Sequence, residues 1–464
     1  MLIIVRNRLV VTDLHRDHME HITRKLRFAN PKWIENNKMG RWNRDTPRML
    51  KFYRFSGKNR LSLPRGYLRQ LILFCRQKGE PYTIQDERRA LDPVDLQIHA
   101  SLRPFQQKAV GIMLQKQFGT LCAPTGSGKT IMALAMIAAR SQPAMVVVHN
   151  RDLAEQWIDS LENILGLDRK QIGFIGGGRY FLGDKVTVAL VQSLYKHARR
   201  AAKHIGHLVV DECHRIPSRT FTEAVTAFDS KYMLGLTATP WRRDGLSKLI
   251  FWHLGDIHHR IDYQGLVSSG HLLAKKVVFR LTEFVPYHDP VTEYSRMLAE
   301  LTSDDRRNRM IAADIARVVS EPERRATVLV LSDRKHHCRL LVSLLRYKYG
   351  IEAALLTGDL SIARRRQLVK KVRQGEITVL VATSQLVGEG FDCPRLETLF
   401  LTTPIRFSGR LLQYVGRVLR PGEGVETATI YDYVDVKVAT LLSAAKARRE
   451  VYRKDRVIED GVIF

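Results

Sequence analysis

The chain has 464 residues, 45% of them apolar and 26% charged; at about 150 residues per domain it is too long for one core and divides into roughly three. Its 75 Lys and Arg outnumber 47 Asp and Glu, a net charge of +28 with a pI near 10.1; such a field draws polyanions, nucleic acid first and an acidic membrane surface as the rival. No run of 18 apolar residues is present, Met1–Val11 is short and lacks a cleavage site, and five cysteines without C-x-x-C spacing argue against a disulfide framework or zinc site. These features predict a protein of a reducing cytoplasm, in a bacterial, archaeal or phage-infected cell, with no membrane partner.

Residues 1–98 read as a separate, small, basic α+β domain. Met1–Val11 is apolar enough for a strand, and Met19, Ile22 and Leu26 share one helical face. From Arg24 to Arg69 there are 14 Lys or Arg against two acids, interleaved with Trp33, Trp42, Phe52, Tyr53 and Phe55. That mixture predicts a nucleic-acid surface with Arg41, Trp42 and Arg44 among its contacts; the competing reading puts the aromatics in a small core. A second amphipathic helix runs from Tyr67 to Lys78 and stops at Gly79. Gln85–Pro93 reads as a linker.

From Leu102 onward, apolar runs alternate with helical segments. Arg103 and Gln106 precede the stretch Ala123–Thr130 (APTGSGKT), which ends an apolar run and opens a helix-forming one. Pro124, Thr125, Gly126, Ser127 and Gly128 form a small-residue loop whose backbone N–H groups can converge on phosphates. Lys129 can reach the β- and γ-phosphates, and the Thr130 hydroxyl can hold Mg²⁺. Further parallel strands are expected at Ala144–His149, Val186–Val191 (leading into Gln192), His207–Val210 and Tyr232–Leu236. Polar residues bunch at their carboxyl ends, as in a doubly wound sheet with its site at that edge. A second α/β pattern begins near Lys276, with strands at 326–331, 353–356, 377–382, 398–401 and 428–431. It has no phosphate loop of its own, and residues 441–464 read as a basic tail. The doublets His258-His259 and His336-His337 lack ligand spacing and read as surface residues.

The remaining parts of a nucleotide hydrolase follow. Asp211 ends an apolar strand, the place of a carboxylate that holds Mg²⁺ through water, and Glu212 beside it can orient and deprotonate the attacking water. Gln413, Arg417 and Arg420 lie at i, i+4 and i+7, on one face of a helix. A guanidinium from that second domain would stabilise charge on the γ-phosphate on closure. Gly388 and Asp392 belong to a Gly-flanked loop, Val387–Asp392, after a strand.

The series APTGSGKT, DECH (Asp211–His214), TATP (Thr237–Pro240), VGEGFD and QYVGRVLR (Gln413–Arg420) resembles superfamily 2 helicases and translocases over about Leu102–Val434. The resemblance implies two tandem RecA-like doubly wound parallel-sheet domains, at 99–275 and 276–440, with ATP and Mg²⁺ in the cleft and nucleic acid across both. It implies adenine contacts from Arg103 and Gln106, phosphate and metal contacts from Lys129, Thr130 and Asp211, and water activation by Glu212. His214, Thr237 and Thr239 would couple the site to the nucleic-acid track, and Arg417 and Arg420 would be finger residues. Gln192 would be a nucleic-acid contact. DECH, the Arg-Pro-Phe-Gln box and Trp241–Gly245 are similar to the XPB-type and UvsW-type DNA branch. The order Asn30-Pro31, Gly40-Arg41-Trp42, Leu63-Pro64 and Gly79 is similar to the N-terminal domain of UvsW-type helicases. An ATP-driven helicase that remodels branched DNA is therefore the leading expectation. The alternatives are a duplex translocase that does not part strands, an RNA helicase, and a scaffold with a dead motor.

Overall fold

The computed structural model describes the chain except residues 58, 216–218, 239–245, 322–326, 389–395, 405–426, 455–456 and 462–464. It forms two compact units, one of Met1–Ala123 and Gly128–Ile261, the other of Pro124–Ser127 and Asp262–Phe464.

The first unit opens with a five-stranded sheet in the order Arg54–Phe55, Arg60–Pro64, Arg8–Thr12, Leu2–Val5, Thr83–Asp86. The apolar opening of the chain is a hairpin, with Ile3 opposite Val11 and Val5 opposite Leu9. Its inward residues meet Leu61, Leu63, Leu71, Phe74 and Cys75 in one buried cluster. Helix Leu68–Lys78 ends at Gly79, whose φ of 66° places it in the left-handed region that glycine adopts at no steric cost. The linker expected at 85–93 is partly a strand, because Thr83–Asp86 pairs in parallel with Leu2–Val5.

Two residues of that cluster come from far along the chain. Leu249 and Trp252, on helix Ser247–Leu254, complete the N-terminal core. Phe28 and Phe52 lie 6.0 and 5.5 Å from the Trp252 ring. Gly66 sits against the backbone of Phe251, Trp252 and Gly255, where any Cβ would collide. Arg65 is buried, its guanidinium donating to the Ser230 carbonyl at 2.9 Å, and burial lowers its pKa to about 9. The N-terminal sheet thus shares a core with the sheet that follows it.

That second sheet has eight strands in the order Arg179–Phe181, Gly173–Gly176, Val186–Leu190, Ala144–Val148, His207–Val210, Tyr232–Thr237, Phe118–Cys122, Ile257–Arg260. All its pairings are parallel except the Gly173–Gly176 hairpin with Arg179–Phe181. Parallel strands are covered on both faces, which is why Ala144–Val148 is a continuous apolar run, buried throughout.

In the second unit a seven-stranded, all-parallel sheet runs Ala353–Leu356, Val379–Thr383, Thr327–Ser332, Leu396–Leu401, Thr427–Asp435, Ala274–Thr282, Ile458–Gly461. The segment expected as a basic tail is largely structural. Helix Ala439–Lys454 buries Leu441, Ala445 and Tyr452, and Ile458–Gly461 pairs with the strand Ala274–Thr282. The buried Arg448 pairs with Asp432 at 2.7 Å, so its charge is matched rather than displayed. His337 is likewise no surface residue. The face of helix Lys335–Tyr349 that buries Cys338, Leu341 and Leu345 buries it too. Its Nδ1 lies 2.9 Å from Ser332 Oγ and its Nε2 2.8 Å from Asn308 Oδ1.

Candidate nucleotide site and nucleic-acid interface

Strand Phe118–Cys122 lies between Tyr232–Thr237 and the edge strand Ile257–Arg260 in the eight-stranded sheet, and helix Lys129–Arg140 begins seven residues after its end. Between them Gly126 and Gly128 have φ values of 88° and 82°, conformations that curl successive N–H groups toward one point. The helix buries Met132 through Ala138 in the core, which fixes where its amino end points. The first turn's N–H groups have no preceding intrahelical carbonyl and carry the positive end of the dipole. Lys129 folds back along the loop, its Nζ donating to the Ala123 carbonyl at 3.2 Å. Thr130 follows it at the helix start.

Gln106 is buried in the first turn of helix Pro104–Leu114, its Oε1 accepting the Arg103 backbone N–H at 2.9 Å. Its amide nitrogen occupies the space that a side chain at Gly128 would need. The Arg103–Gln106 turn and the phosphate loop are therefore in register with each other, and Arg103 itself is exposed.

At the carboxyl end of strand His207–Val210 the structure gathers four polar residues. Asp211 is buried; its Oδ2 accepts the Trp157 indole N–H at 2.9 Å and its Oδ1 the Glu212 backbone N–H at 2.8 Å. Burial, then the adjacent Glu212 charge, push its carboxyl above the usual range, opposed by the Trp157 hydrogen bond and the Lys129 charge. Glu212 has a φ of 45°, a left-handed conformation that costs a non-glycine residue about 1–2 kcal/mol and is typical of functional sites. Its Oε2 lies 3.2 Å from His214 Nδ1, which is also 3.0 Å from Thr237 Oγ1. His214 Nδ1 thus stands between the Glu212 carboxylate and the Thr237 hydroxyl, within ion-pair distance of the first and hydrogen-bonded to the second. The Thr237 carbonyl in turn accepts the Ala123 N–H at 2.9 Å, tying that strand to the start of the phosphate loop. Lys129, Asp211, Glu212, His214 and Thr237 thus form one connected region.

These residues suit a magnesium-bound nucleoside triphosphate. The loop offers N–H groups and a lysine for phosphates, Thr130 a hydroxyl, and Asp211 a buried carboxylate that among the described residues has no cationic ion-pair partner. Gly388 closes helix Ser384–Gly388, just after the strand Val379–Thr383. Thr239, Asp392, Gln413, Arg417 and Arg420 lie outside the described residues. Sequence reasoning missed Trp157: its spacing with Leu153, Ile158 and Leu161 marks an inward face, but nothing in the spacing says its N–H meets Asp211.

Arg41, Trp42 and Arg44 are together on an exposed turn after helix Pro31–Lys38. Trp42 is 84% exposed, which removes it from any core. The turn is built: the Arg41 N–H donates to Asn36 O at 2.8 Å, and Asn43 Nδ2 donates to Trp33 O at 3.2 Å. The aromatics flanking it divide, with Phe28 and Phe52 packed inward and Phe55 57% exposed. Gln192 stands apart, exposed on helix Val191–Ala202, its amide donating to His149 O at 2.7 Å.

Comparison with known proteins agrees with this architecture. Residues 99–242 match the family described as Type III restriction enzyme, res subunit, and residues 310–422 the Helicase conserved C-terminal domain. Over these two segments the chain is similar to superfamily 2 helicases. Within that superfamily its relatives lie on the XPB-like side. It is 29% identical over 353 residues to a Halobacterium salinarum protein named as the DNA 3'-5' helicase Rad25, covering 74% of this chain and 56% of that one. It is 27% identical over 352 residues to the DNA 3'-5' translocase XPB2 of Sulfurisphaera tokodaii, covering 69% of this chain and 78% of the relative. The chain spans little more than half the length of the Halobacterium relative. Among solved structures, yeast Dbp5 bound to RNA and ADP BeF3 has the same fold, with a TM-score of 0.55 at 14% identity over 77% of this chain and 89% of that one.

Proposed function

We propose that the chain is an ATP-dependent DNA helicase or translocase that remodels branched DNA, such as forks, junctions, and recombination or repair intermediates. The observation that carries the reading is the linkage from Lys129 and the start of the phosphate loop at Ala123, through Thr237 and His214, to Glu212 and Asp211. Bound ATP with Mg²⁺ supplies the cleavable phosphate bond and the metal's charge. Lys129 and the loop N–H groups then hold the phosphates, Thr130 and Asp211 hold the metal, and Arg103 and Gln106 recognise adenine. Glu212 orients water and takes its proton. The strained backbone fixes that carboxylate's direction, while His214 and Thr237 connect it to the strand beside the loop. Gly388 and Asp392 contribute to the nucleotide cleft. Gln413, Arg417 and Arg420 act on closure, the two arginines stabilising charge on the transferred phosphoryl group.

The preference for branched DNA is supported by the N-terminal turn. Cations there draw phosphates, and an exposed tryptophan can stack on bases where a duplex opens; Gln192 adds a polar contact from the motor sheet. The protein works in the cytoplasm of a bacterial, archaeal or phage-infected cell, a setting in keeping with the four cysteines among the described residues, all free and buried. None of the described helices is long and apolar enough to cross a membrane. Phosphate release measured against single strands, duplex, forks, four-way junctions and RNA tests this reading, with strand displacement followed in parallel. Turnover stimulated most by forks or junctions, with displacement, is the expected result. Stimulation by plain duplex without displacement would make it a translocase, stimulation by RNA alone an RNA helicase, and no turnover a scaffold.

A further inference from the structure

Helix Arg151–Leu165 turns one face into the core, burying Leu153, Ala154, Trp157, Ile158, Leu161 and Leu165. Packing alone would be satisfied at position 157 by any large apolar side chain. The ring chosen has a single polar atom, and that atom donates to Asp211 Oδ2 at 2.9 Å. The second oxygen of the same carboxylate accepts the Glu212 backbone N–H at 2.8 Å. One donor on each oxygen fixes the plane of the carboxylate, as outer-shell partners of metal-binding groups do. Both donors are neutral. A lysine or arginine in place of Trp157 would orient Asp211 as well but would cancel the charge that attracts a cation. A phenylalanine would preserve packing and leave a buried oxygen without its donor.

We propose that Trp157 is a positioning residue for the metal: its indole N–H holds the Asp211 carboxylate in the orientation that receives the magnesium of a bound nucleotide, without neutralising it. The inference rests on the functional reading above and adds a residue to which that reading gives no part.

The test uses the full chain and a fluorescent ATP analogue, titrated with Mg²⁺ after binding in EDTA. Trp157→Phe should leave affinity in EDTA unchanged while raising the Mg²⁺ midpoint by about 10–100-fold, the usual cost of losing an outer-shell partner. Saturating Mg²⁺ should restore most turnover. A folded Trp157→Phe protein with the wild-type Mg²⁺ midpoint overturns the inference and leaves the functional reading standing. A wild-type chain whose nucleotide binding ignores Mg²⁺ overturns both. Should Trp157→Phe fail to fold, the wild-type protein still decides. It has five tryptophans, and with ¹⁵N-labelled indoles an N–H resonance close to the metal should vanish when Mn²⁺ with ADP replaces Mg²⁺ with ADP. Survival of all of them would overturn the assignment.

Discussion

Both parallel sheets bury aspartates, but they treat the charge in opposite ways. In the first unit Asp211 receives an indole N–H and a backbone N–H, both neutral, and burial disfavours its charge. In the second unit Asp435, at a strand's carboxyl end, is paired at 2.8 Å with Arg307, both side chains 1% exposed. Arg307 also donates to Thr402 O at 2.7 Å, and Asp432 is matched by Arg448 and by the Tyr452 hydroxyl at 3.0 Å. One sheet leaves a buried carboxylate with neutral donors alone among the described residues, and the other uses its carboxylates to fasten helices to strands. Two α/β sheets of similar construction thus differ in one respect that matters for cation binding: only one leaves its buried charge unmatched among the described residues.

The largest effect expected is on chemistry. Glu212→Gln should lower phosphate release by about 10²–10⁴-fold while ATP still binds, whereas Lys129→Ala should lose nucleotide affinity as well; stopped-assay turnover and fluorescent nucleotide binding separate the two. Stability is the next test, measured by denaturant unfolding without Mg²⁺ or nucleotide. Asp435→Asn strands the buried Arg307 and should cost about 3–5 kcal/mol, but Asp211→Asn removes an unmatched buried charge and should be neutral or stabilising. Equal losses from both would erase the contrast between the sheets.

A smaller effect concerns acid. Burial lowers the His337 pKa to about 3, so the folded chain keeps the ring neutral where the unfolded chain, near the ordinary 6.5, is protonated. The unfolded state then binds the extra proton, and stability should fall as pH drops from about 6.5 toward 3. His337→Asn should flatten that slope in a pH series of unfolding midpoints, even if it lowers the stability at neutral pH. The smallest effects belong to the N-terminal turn. Trp42→Ala should change stability by no more than about 0.5 kcal/mol, since the ring is exposed, yet weaken fork binding by about tenfold through lost stacking. Arg41→Ala with Arg44→Ala should instead reduce the salt dependence of binding by one or two phosphate contacts, read from the slope of affinity against salt. Loss of the fold in Trp42→Ala would contradict the exposed turn.

Much of this was legible beforehand. Strands buried on both faces write themselves as apolar runs, so His207–Val210 and Ala353–Leu356 coincide with their expected limits. The phosphate loop is legible because its glycines and Lys129 must stand at fixed intervals. Legibility fails where a residue's role depends on a distant partner. Leu249 and Trp252 look like ordinary helix residues, and only the fold shows that they fill a core begun at Ile3, at the other end of this unit. The cations of the last helix resemble a solvated tail until Asp432 is seen opposite Arg448. His337 turns inward through helix phase, which a doublet of histidines does not reveal. The Glu212 backbone angle has no signature in composition at all.

The seating of Trp252 against Phe28 and Phe52 also has a mechanical meaning. These two phenylalanines lie on and just beyond the paired strands Arg27–Ala29 and Met49–Lys51 that carry the Arg41–Arg44 turn. The helix bearing Trp252 packs in turn on the strand Phe118–Cys122, which leads into the glycine loop, and on its neighbour Tyr232–Thr237. A load borne at the turn is therefore passed on through close-packed side chains, with the low compressibility of a protein interior, and not through a slack tether. Within this unit the outer turn and the sheet deform together, so a pull on the turn is felt as stress along the strand Phe118–Cys122, which leads into the glycine loop.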